Sequence, residues 1–411
     1  MIMAMAGSAV GLGNIWRFPY MVGEHGGAAF IIVYIICCLV VSLPIFFAEA
    51  TIGKATRKDT FGAMKEVSPS GRFKEMGFIA IASSFIILSF YSVVGGWSFD
   101  YLIRSCAGAF SGKSIAEARE VFAGMSSSPT ESVSCMLVFL SLTAGIVAAG
   151  VDKGIGLFSK VSMPVLLVMM VVIAVVSLTL PGSGEGVTYL IKPDFSKLDG
   201  PAIAAALGQS FFSLSLGIGT ILTYASYMRE DESVIEAGAW TAFFDTGFAL
   251  IAGFAIMPAV FAAGIEPSAG PSLVFETLPV IFSHMGYVLP VVFFLAILIA
   301  ALSSSISLLE VIVAWLVEQK NLSRPKASFL VFLFAGILGA ACAVVPKVFN
   351  TCDFVSSNVL MMAGALIFAI IIGWVMPREQ VLTHIKSRFL YGLIRYAAPV
   401  MIVAVAVTNL L

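Results

Sequence analysis

The sequence predicts an all-α integral membrane protein, and three observations indicate this fold class. Hydrophobic residues make up 59% of the 411 residues, charged residues make up 11%, and the mean hydropathy is +1.02. A soluble domain carries about 25% charged residues, so lipid must solvate much of this surface. The apolar runs reach the roughly 20 residues that a membrane-crossing helix needs. They are too long and too uniformly apolar for barrel strands, which leaves helices as the spanning elements.

Eleven hydrophobic segments follow one another along the chain, and each is predicted to form a transmembrane helix. The first segment lacks the basic start and the small-residue cleavage site of a signal peptide. The chain, 1–411, is therefore expected to form a single transmembrane domain. The segments lie near residues 1–22, 27–52, 76–106, 132–150, 155–180, 201–228, 237–263, 286–317, 326–346, 353–376 and 390–411.

The distribution of basic residues predicts the orientation. With a cytoplasmic N-terminus, sixteen of the 23 lysines and arginines fall on the inner side and seven on the outer side. Six of the sixteen, including Arg72, lie in the loop 53–75. Cytoplasmic loops carry an excess of positive residues, which favours this orientation over its inverse. Eleven spans then place the C-terminus outside, and we expect a bacterial inner membrane.

Composition argues against several other classes of protein. The net charge of −1 gives no basis for a nucleic-acid partner. The six cysteines show no metal-site spacing, and free thiols are expected. His25, His284 and His384 fall at helix ends or in loops, away from any nucleophile and base set. We therefore expect neither an enzyme nor an organic cofactor.

The first and sixth segments are interrupted in the same way. Residues 7–14 read GSAVGLGN and residues 213–220 read SLSLGIGT, so each segment carries glycines and small polar residues at mid-membrane. Matching interruptions in two halves indicate a transporter binding site. The halves would be helices 1–5 at about 1–180 and inverted-repeat helices 6–10 at about 201–376, with an extra helix at about 390–411. The alternative is that glycine only permits close helix packing.

Two stretches resemble the signatures of a known family. The stretch from Met5 to Tyr20, MAGSAVGLGNIWRFPY, is followed by GGAAF at residues 26–30, and QSFFSLSLG from Gln209 is followed by TYASY from Thr223. Both resemble the neurotransmitter:sodium symporter family, in its bacterial eleven-helix branch, and the resemblance covers the whole chain. It implies a LeuT-like fold, a 5+5 inverted repeat with discontinuous helices 1 and 6. It also implies a sodium-coupled symporter that imports an amino acid by alternating access.

The resemblance implies two sodium sites. The first would use the Ala9 carbonyl, the side chains of Asn14, Ser213 and Asp245, and the substrate's own carboxylate. The second would use the carbonyls of Gly7, Val10 and Ala300 with the hydroxyls of Ser303 and Ser304. An unwound helix exposes such carbonyls, and its half-helix ends face charged groups. For the serines, the alternative is hydrogen bonding to their own helix.

Asp245 departs from the family pattern, which has asparagine at this position. A carboxylate within the membrane is costly and indicates function. We expect it to offset a sodium ion directly, in place of the chloride that animal members bind, and so to make transport chloride-independent. Ala249 stands one turn on, where some bacterial members carry a carboxylate. The alternative is a structural acid, protonated or hydrogen-bonded to Tyr34, Gln209 or Ser213.

The resemblance also implies a pocket for a neutral, hydrophobic amino acid. Gly11 stands where monoamine carriers have an aspartate, which leaves the negative charge to the substrate. Tyr91 would bind the substrate carboxylate and form a lid with Phe212. The predicted lining is Ser8, Ala9, Gly13, Ile87, Tyr91, Phe212, Ser213, Ser215, Ile218, Ser304 and Leu308.

Gates are implied on both sides. Arg17 would pair with Asp353 on the outside, and Glu318 matches an acidic residue of the inner gate. Glu49 matches a position that braces the unwound part of helix 6. Glu310 replaces a residue that is usually uncharged, and either a proton or a backbone partner is open for it.

Two alternative functions stay open. One is a proton-coupled amino acid carrier of the same fold, and the other is an amino acid sensor that does not transport. The expected partners are an amino acid, sodium ions and the lipid bilayer, with the protein as a monomer or a weak dimer.

Overall fold

The protein is described here by a computed structural model of residues 1–68, 73–267 and 273–410. Helices dominate these residues, and no strand occurs among them. Nine of the helices in these ranges are long and apolar enough to cross a membrane. Arg72, which counted toward the orientation, lies outside the described residues.

Up to Leu178, the described residues form eight helices. The first predicted segment is broken into α1 (Ile2–Ala9) and α2 (Phe18–Glu24), with a π-helical turn at Gly13–Arg17 between them. The remaining helices are α3 (Ala28–Thr56), α4 (Thr60–Val67), α5 (Lys74–Cys106), α6 (Ile115–Ser127), α7 (Pro129–Ala148) and α8 (Val151–Leu178).

After Leu178, the described residues form ten more helices. The sixth predicted segment is broken into α10 (Gly200–Ser213) and α11 (Thr220–Ser226), so both predicted interruptions are confirmed. The other helices are α9 (Ser183–Ile191), α12 (Val234–Ala262), α13 (Leu278–His284), α14 (Val288–Lys320), α15 (Arg324–Val344), α16 (Pro346–Val375), α17 (Arg378–Ile385) and α18 (Arg388–Thr408).

Five short helices between the long ones were not predicted: α4, α6, α9, α13 and α17. Local capping explains where some of them start. The Ser114 hydroxyl accepts from the Glu117 N–H at the start of α6, and the Glu117 carboxylate accepts from the Ser114 N–H. The Asp59 carboxylate accepts from two backbone N–H groups at the start of α4.

The bundle has apolar residues outside and polar residues at its centre. Val168, Phe329 and Ile337 are each more than 60% exposed, although all three belong to predicted spans. Asn14 and Asp245 are fully buried. This arrangement fits a chain whose outer surface contacts lipid and whose intramembrane polar groups face the interior. The two broken segments lie at that interior, where α1 contacts α12 and α14, and α11 contacts α3.

Candidate functional site

The break in the first segment exposes the end of a helix inside the bundle. α1 ends at Ala9, and Val10 takes an extended backbone with φ −75° and ψ 92°. The Gly11 N–H donates to Asn14 Oδ1 at 3.0 Å, which turns the Asn14 side chain back toward the break. The last carbonyls of an α-helix have no partner within the helix, so those of α1 are available to other groups.

The break in the sixth segment depends on left-handed backbone positions. Ser215, Gly217 and Gly219 have φ values of 54°, 79° and 77°. A Cβ atom on Gly217 would lie 2.0 Å from the Met361 carbonyl oxygen, so only glycine fits there. The Gly217 N–H donates to Glu49 Oε1 at 2.5 Å, which matches the bracing role expected of Glu49.

The two breaks face each other across the centre of the bundle. The Ser215 hydroxyl donates to the Ser8 carbonyl oxygen at 3.3 Å, which links the two breaks directly. Gln209 Nε2 donates to the Gly13 carbonyl oxygen at 3.1 Å. Side chains of the sixth segment therefore donate hydrogen bonds to backbone carbonyls of the first segment.

Asp245 on α12 lies at one side of this meeting point. Its Oδ1 accepts from Asn14 Nδ2 at 2.8 Å and from the Ser213 hydroxyl at 2.6 Å, and its Oδ2 accepts from the Tyr34 hydroxyl at 3.1 Å. The structure thus brings together the three side chains predicted for the first sodium site. Gln209, an expected alternative partner, bonds to Gly13 instead.

No cationic side chain offsets this carboxylate in the ranges that the structure describes. Asp245 is fully buried, and its partners there are an amide and two hydroxyls. Burying a charge is expensive unless it is paired. The arrangement therefore suits a cation that comes from outside the chain.

Three of the five residues predicted for the second sodium site, Val10, Ala300 and Ser303, meet where α14 crosses the first break. The Ser303 hydroxyl contacts the Ala300 carbonyl oxygen of its own helix at 2.8 Å and the Val10 carbonyl oxygen at 3.0 Å. Ser303 therefore bonds across the break as well as within its own helix. The Ser304 hydroxyl contacts the Ser8 carbonyl oxygen at 3.3 Å. Gly7 lies against α8, where an added Cβ would be 3.3 Å from the Ser159 hydroxyl.

A cavity between the two breaks collects all eleven residues predicted to line the substrate pocket. The volume open to a water-sized sphere is about 30 Å³, so the lining residues nearly close around the cavity in this conformation. The hydroxyls of Ser8 and Thr220 are buried there without a hydrogen-bond partner among the described residues, and the buried Tyr91 hydroxyl faces the Ser304 hydroxyl and the Leu12 backbone. Unpartnered buried hydroxyls are costly, so the cavity suits a ligand with polar groups. The residues are Ser8, Ala9, Gly13, Ile87, Tyr91, Phe212, Ser213, Ser215, Ile218, Ser304 and Leu308.

Four further residues line the cavity that were not predicted to do so: Gly11, Thr220, Ser307 and Met361. A Cβ atom on Gly11 would lie 2.0 Å from the Ser304 hydroxyl oxygen, so a side chain at this position requires Ser304 to move. Thr220 directly follows the predicted glycines, which is a signal that sequence reasoning could have used. Met361 is contributed by α16, and no sequence pattern indicated that contact.

The predicted outer gate residues are not paired with each other. The Arg17 guanidinium lies 4.7 Å from the centroid of the Phe212 ring, and Asp353 accepts from the Ser357 hydroxyl at 3.1 Å. No ion pair joins Arg17 to Asp353 in the described part of the chain. Arg17 instead lies over a ring that lines the cavity, and the charge-pair gate stays a prediction.

Two acidic residues, Glu310 and Glu318, lie in the C-terminal part of α14. Glu318 accepts from the Asp59 N–H at 2.9 Å, and this contact joins α14 to the start of α4. Glu310 pairs with Arg324 at the start of α15 and accepts from the Tyr227 hydroxyl at 2.7 Å. The partner of Glu310 is therefore a side-chain cation, which sequence reasoning did not identify.

Two facing broken helices around a buried cavity are typical of secondary transporters. Comparison with known proteins agrees. The sequence model of the sodium:neurotransmitter symporter family matches residues 1–121 and 120–411. The chain belongs to the sodium:neurotransmitter symporter family.

Individual relatives cover nearly the whole chain. It is 35% identical to an uncharacterized sodium-dependent transporter of Bacillus subtilis, over 98% of this chain and 94% of that protein. A second such transporter, of Haemophilus influenzae, is also 35% identical, over 100% of this chain and 96% of its own length. The crystal structure of MhsT in complex with L-phenylalanine matches with a TM-score of 0.92 and 38% identity, over 99% and 97% of the two chains. These comparisons confirm the predicted LeuT-like fold. They also confirm that the chain is a multi-pass membrane protein of a sodium-dependent transporter family.

Proposed function

We propose that this protein is a sodium-coupled symporter that imports a neutral, hydrophobic amino acid by alternating access, independently of chloride. One observation carries the proposal. The cavity between the two breaks adjoins a buried carboxylate that has no cationic partner among the described residues. The complex of MhsT with L-phenylalanine supports an amino acid as the substrate.

The lining of the cavity favours a zwitterion with an apolar side chain. Among the described residues that line it, none carries a charge. The ligand must therefore bring balanced charges of its own or share them with a bound ion. Ile87, Ile218 and Leu308 provide apolar walls. The buried Tyr91 hydroxyl, on a residue that lines the cavity, is the group that we assign to the substrate carboxylate.

Sodium would bind beside the substrate and again across the first break. At the first site, the Ala9 carbonyl, Asn14, Ser213 and Asp245 would surround the ion together with the substrate carboxylate. Because the ion and the substrate share that carboxylate, each would raise the affinity for the other by the same factor. At the second site, the carbonyls of Gly7, Val10 and Ala300 and the hydroxyls of Ser303 and Ser304 would hold an ion between α1 and α14.

Asp245 supports independence from chloride. Its fixed negative charge lies within hydrogen-bond distance of Asn14 and Ser213, two residues assigned to the sodium site. A charge held there can offset the sodium ion without a mobile anion. Ala249, one turn further along α12, is buried and carries no charge of its own.

Alternating access would expose the cavity to one side of the membrane at a time. Phe212, with Arg17 over its ring, and Tyr91 would cover the outer side, with Asp353 within reach of Arg17 after a rearrangement. Glu318 would hold the inner side closed through the start of α4. The cavity would open to the outside when the contacts of Arg17, Phe212 and Tyr91 break, and to the inside when the contact of Glu318 breaks.

Uptake into proteoliposomes tests the proposal. Labelled phenylalanine and leucine should accumulate under an inward sodium gradient and should not accumulate when choline replaces sodium. Replacing chloride with gluconate should leave the rate unchanged. Uptake driven equally well in choline by a proton gradient would favour the proton-coupled carrier. Sodium-dependent binding without uptake would favour the sensor. A rate that collapses in gluconate would contradict the role of Asp245.

A further inference from the structure

One end of the cavity carries a hydroxyl group, that of Thr220, which the proposed contacts to the substrate's amino and carboxylate groups do not involve. Thr220 and Ser307 both line the cavity. The Ser307 hydroxyl donates to the Ser303 carbonyl oxygen at 3.0 Å and accepts from the Tyr224 hydroxyl at 3.1 Å. Thr220 is fully buried, and its hydroxyl has no partner in the described part of the chain. Thr220 therefore provides the unsatisfied hydroxyl at this end.

Helix periodicity places Thr220 beside Ser307. Tyr224 follows Thr220 by four residues on α11, so both side chains project from the same face of that helix. Tyr224 reaches Ser307 on α14 through its hydroxyl. The face of α11 that carries Thr220 is therefore turned toward the part of α14 that carries Ser307.

The end of the cavity at Thr220 is distant from Tyr91, the residue assigned to the substrate carboxylate. The Ser84 hydroxyl on α5 donates to the Ile218 carbonyl oxygen at 2.8 Å, which places residues 218–220 level with this part of α5. Tyr91 lies seven residues further along the same helix, or about 10 Å by helical rise. An aromatic amino acid has a comparable length from its carboxylate to the tip of its ring.

Apolar side chains lie between the two ends. Ile87 follows Ser84 by three residues on α5, and Ile87, Ile218 and Met361 all line the cavity. Ile87 lies between Ser84 and Tyr91 on α5, so a side chain that extends from Tyr91 toward residues 218–220 passes Ile87 before it reaches the Thr220 hydroxyl. An apolar tip would leave that hydroxyl unsatisfied, whereas a polar tip would satisfy it.

We infer that Thr220 is a specificity-determining residue that hydrogen-bonds a polar group at the tip of the substrate's side chain. The transporter accordingly favours an aromatic amino acid with a hydroxyl group on its ring, tyrosine over phenylalanine. This inference rests on the proposed function, because it assumes that an amino acid occupies the cavity. Sites that hydrogen-bond a substrate hydroxyl discriminate against the analogue that lacks it.

Competition by tyrosine and phenylalanine against labelled leucine in sodium-dependent uptake tests the inference. In the wild type, tyrosine should compete better than phenylalanine, by about tenfold for one net hydrogen bond. Thr220→Val keeps the shape of the side chain and removes the hydroxyl. It should abolish the preference by weakening tyrosine and not phenylalanine. Thr220→Ser, which keeps the hydroxyl, should retain the preference.

Thr51→Val is the matched control. Thr51 is also fully buried with an unpartnered hydroxyl, but it does not line the cavity, so its substitution should leave the preference unchanged. Equal competition by the two amino acids in the wild type would overturn the inference, and so would a preference that Thr220→Val leaves intact. Either result would leave the proposed function standing if leucine uptake requires sodium. Absence of any sodium-dependent uptake or binding would overturn both.

Discussion

Asp245 decides the chemistry of the site at the scale of single residues. It is a buried carboxylate that Asn14, Ser213 and Tyr34 hold in one orientation, and it has no cation among the described residues. Hydrogen bonds from amides and hydroxyls fix the position of a carboxylate but leave its charge in place. A bound sodium ion would neutralise that charge, so sodium binding would stabilise the site.

Asp245→Asn should therefore weaken sodium binding. We expect the sodium concentration for half-maximal uptake to rise about tenfold or more, which corresponds to about 1.4 kcal/mol of lost interaction. The variant should also become sensitive to chloride, since a mobile anion can replace the missing charge. Sodium titrations in chloride and in gluconate measure both effects, with Asp245→Glu as the control that keeps the charge. An unchanged sodium requirement would mean that Asp245 is a structural acid.

Gly217 is the residue on which the shape of the second break depends. Gly217→Ala should abolish uptake and lower the yield of folded protein. The added Cβ would lie 2.0 Å from the Met361 carbonyl oxygen, at a φ of 79° that costs a side chain about 1–3 kcal/mol. Gly247→Ala is the control, because nothing lies within 4 Å of a Cβ at that helical position. Normal transport by Gly217→Ala would contradict a rigid break.

Most of the candidate site could be predicted at this scale. The family resemblance implied all eleven lining residues, and seven of them lie in the two interrupted segments, which are visible in a sequence. Met361 could not be found in this way, because α16 is distant in the chain from both breaks. Arg324 is only fourteen residues from Glu310, but it lies in the next helix, and its pairing depends on how α14 and α15 pack. Thr220 is the last residue of the interrupted stretch 213–220, but only the structure reveals that its hydroxyl is buried and has no partner among the described residues.

At the scale of helices, hydropathy along the sequence predicts the long membrane-spanning helices but not the short ones. Hydropathy reports the length of chain that can lie in lipid, so it located the nine long helices of the described residues. It does not detect α6, which is amphipathic and begins at a capping box. It also placed the start of α16 near 353, whereas the helix begins at Pro346. Proline favours the first turn of a helix, and local capping outweighs mean hydropathy at such ends.

The Glu310–Arg324 pair joins α14 to α15 and gives a prediction about helix packing. Glu310 is fully buried, Arg324 is 22% exposed, and Arg324 Nε also donates to the Val147 carbonyl oxygen of α7 at 2.9 Å. Arg324→Ala should destabilise the protein by about 3–5 kcal/mol, because it leaves a buried carboxylate unpaired. Thermal unfolding in detergent measures this loss.

A second substitution separates charge from packing at this pair. Adding Glu310→Gln to Arg324→Ala should recover part of the loss, since no buried charge then remains. Lys326→Ala, at an exposed position on the same helix, is the control and should have little effect. Equal unfolding temperatures for Arg324→Ala and Lys326→Ala would show that the pair contributes nothing to stability.

At the scale of the whole molecule, the outer surface of the bundle contacts lipid, and acids of the membrane spans such as Glu49, Asp245 and Glu310 are buried inside it. Polar residues on both broken segments, α12 and α14 meet at one place, although they are spread from residue 8 to residue 307. The repeat of two interrupted segments made that meeting predictable, because facing breaks expose backbone where side-chain charges are costly. The pairing of the outer gate was less predictable, since Arg17 has both an aromatic ring and an acid within its possible range.

The central claim is that sodium and an amino acid bind together between the two breaks. Equilibrium binding of labelled phenylalanine to purified protein, in sodium and in choline at equal ionic strength, tests it most directly. We predict that sodium lowers the Kd by about tenfold or more, and that phenylalanine lowers the Kd for sodium by the same factor. Equal affinity in sodium and choline would contradict a shared site.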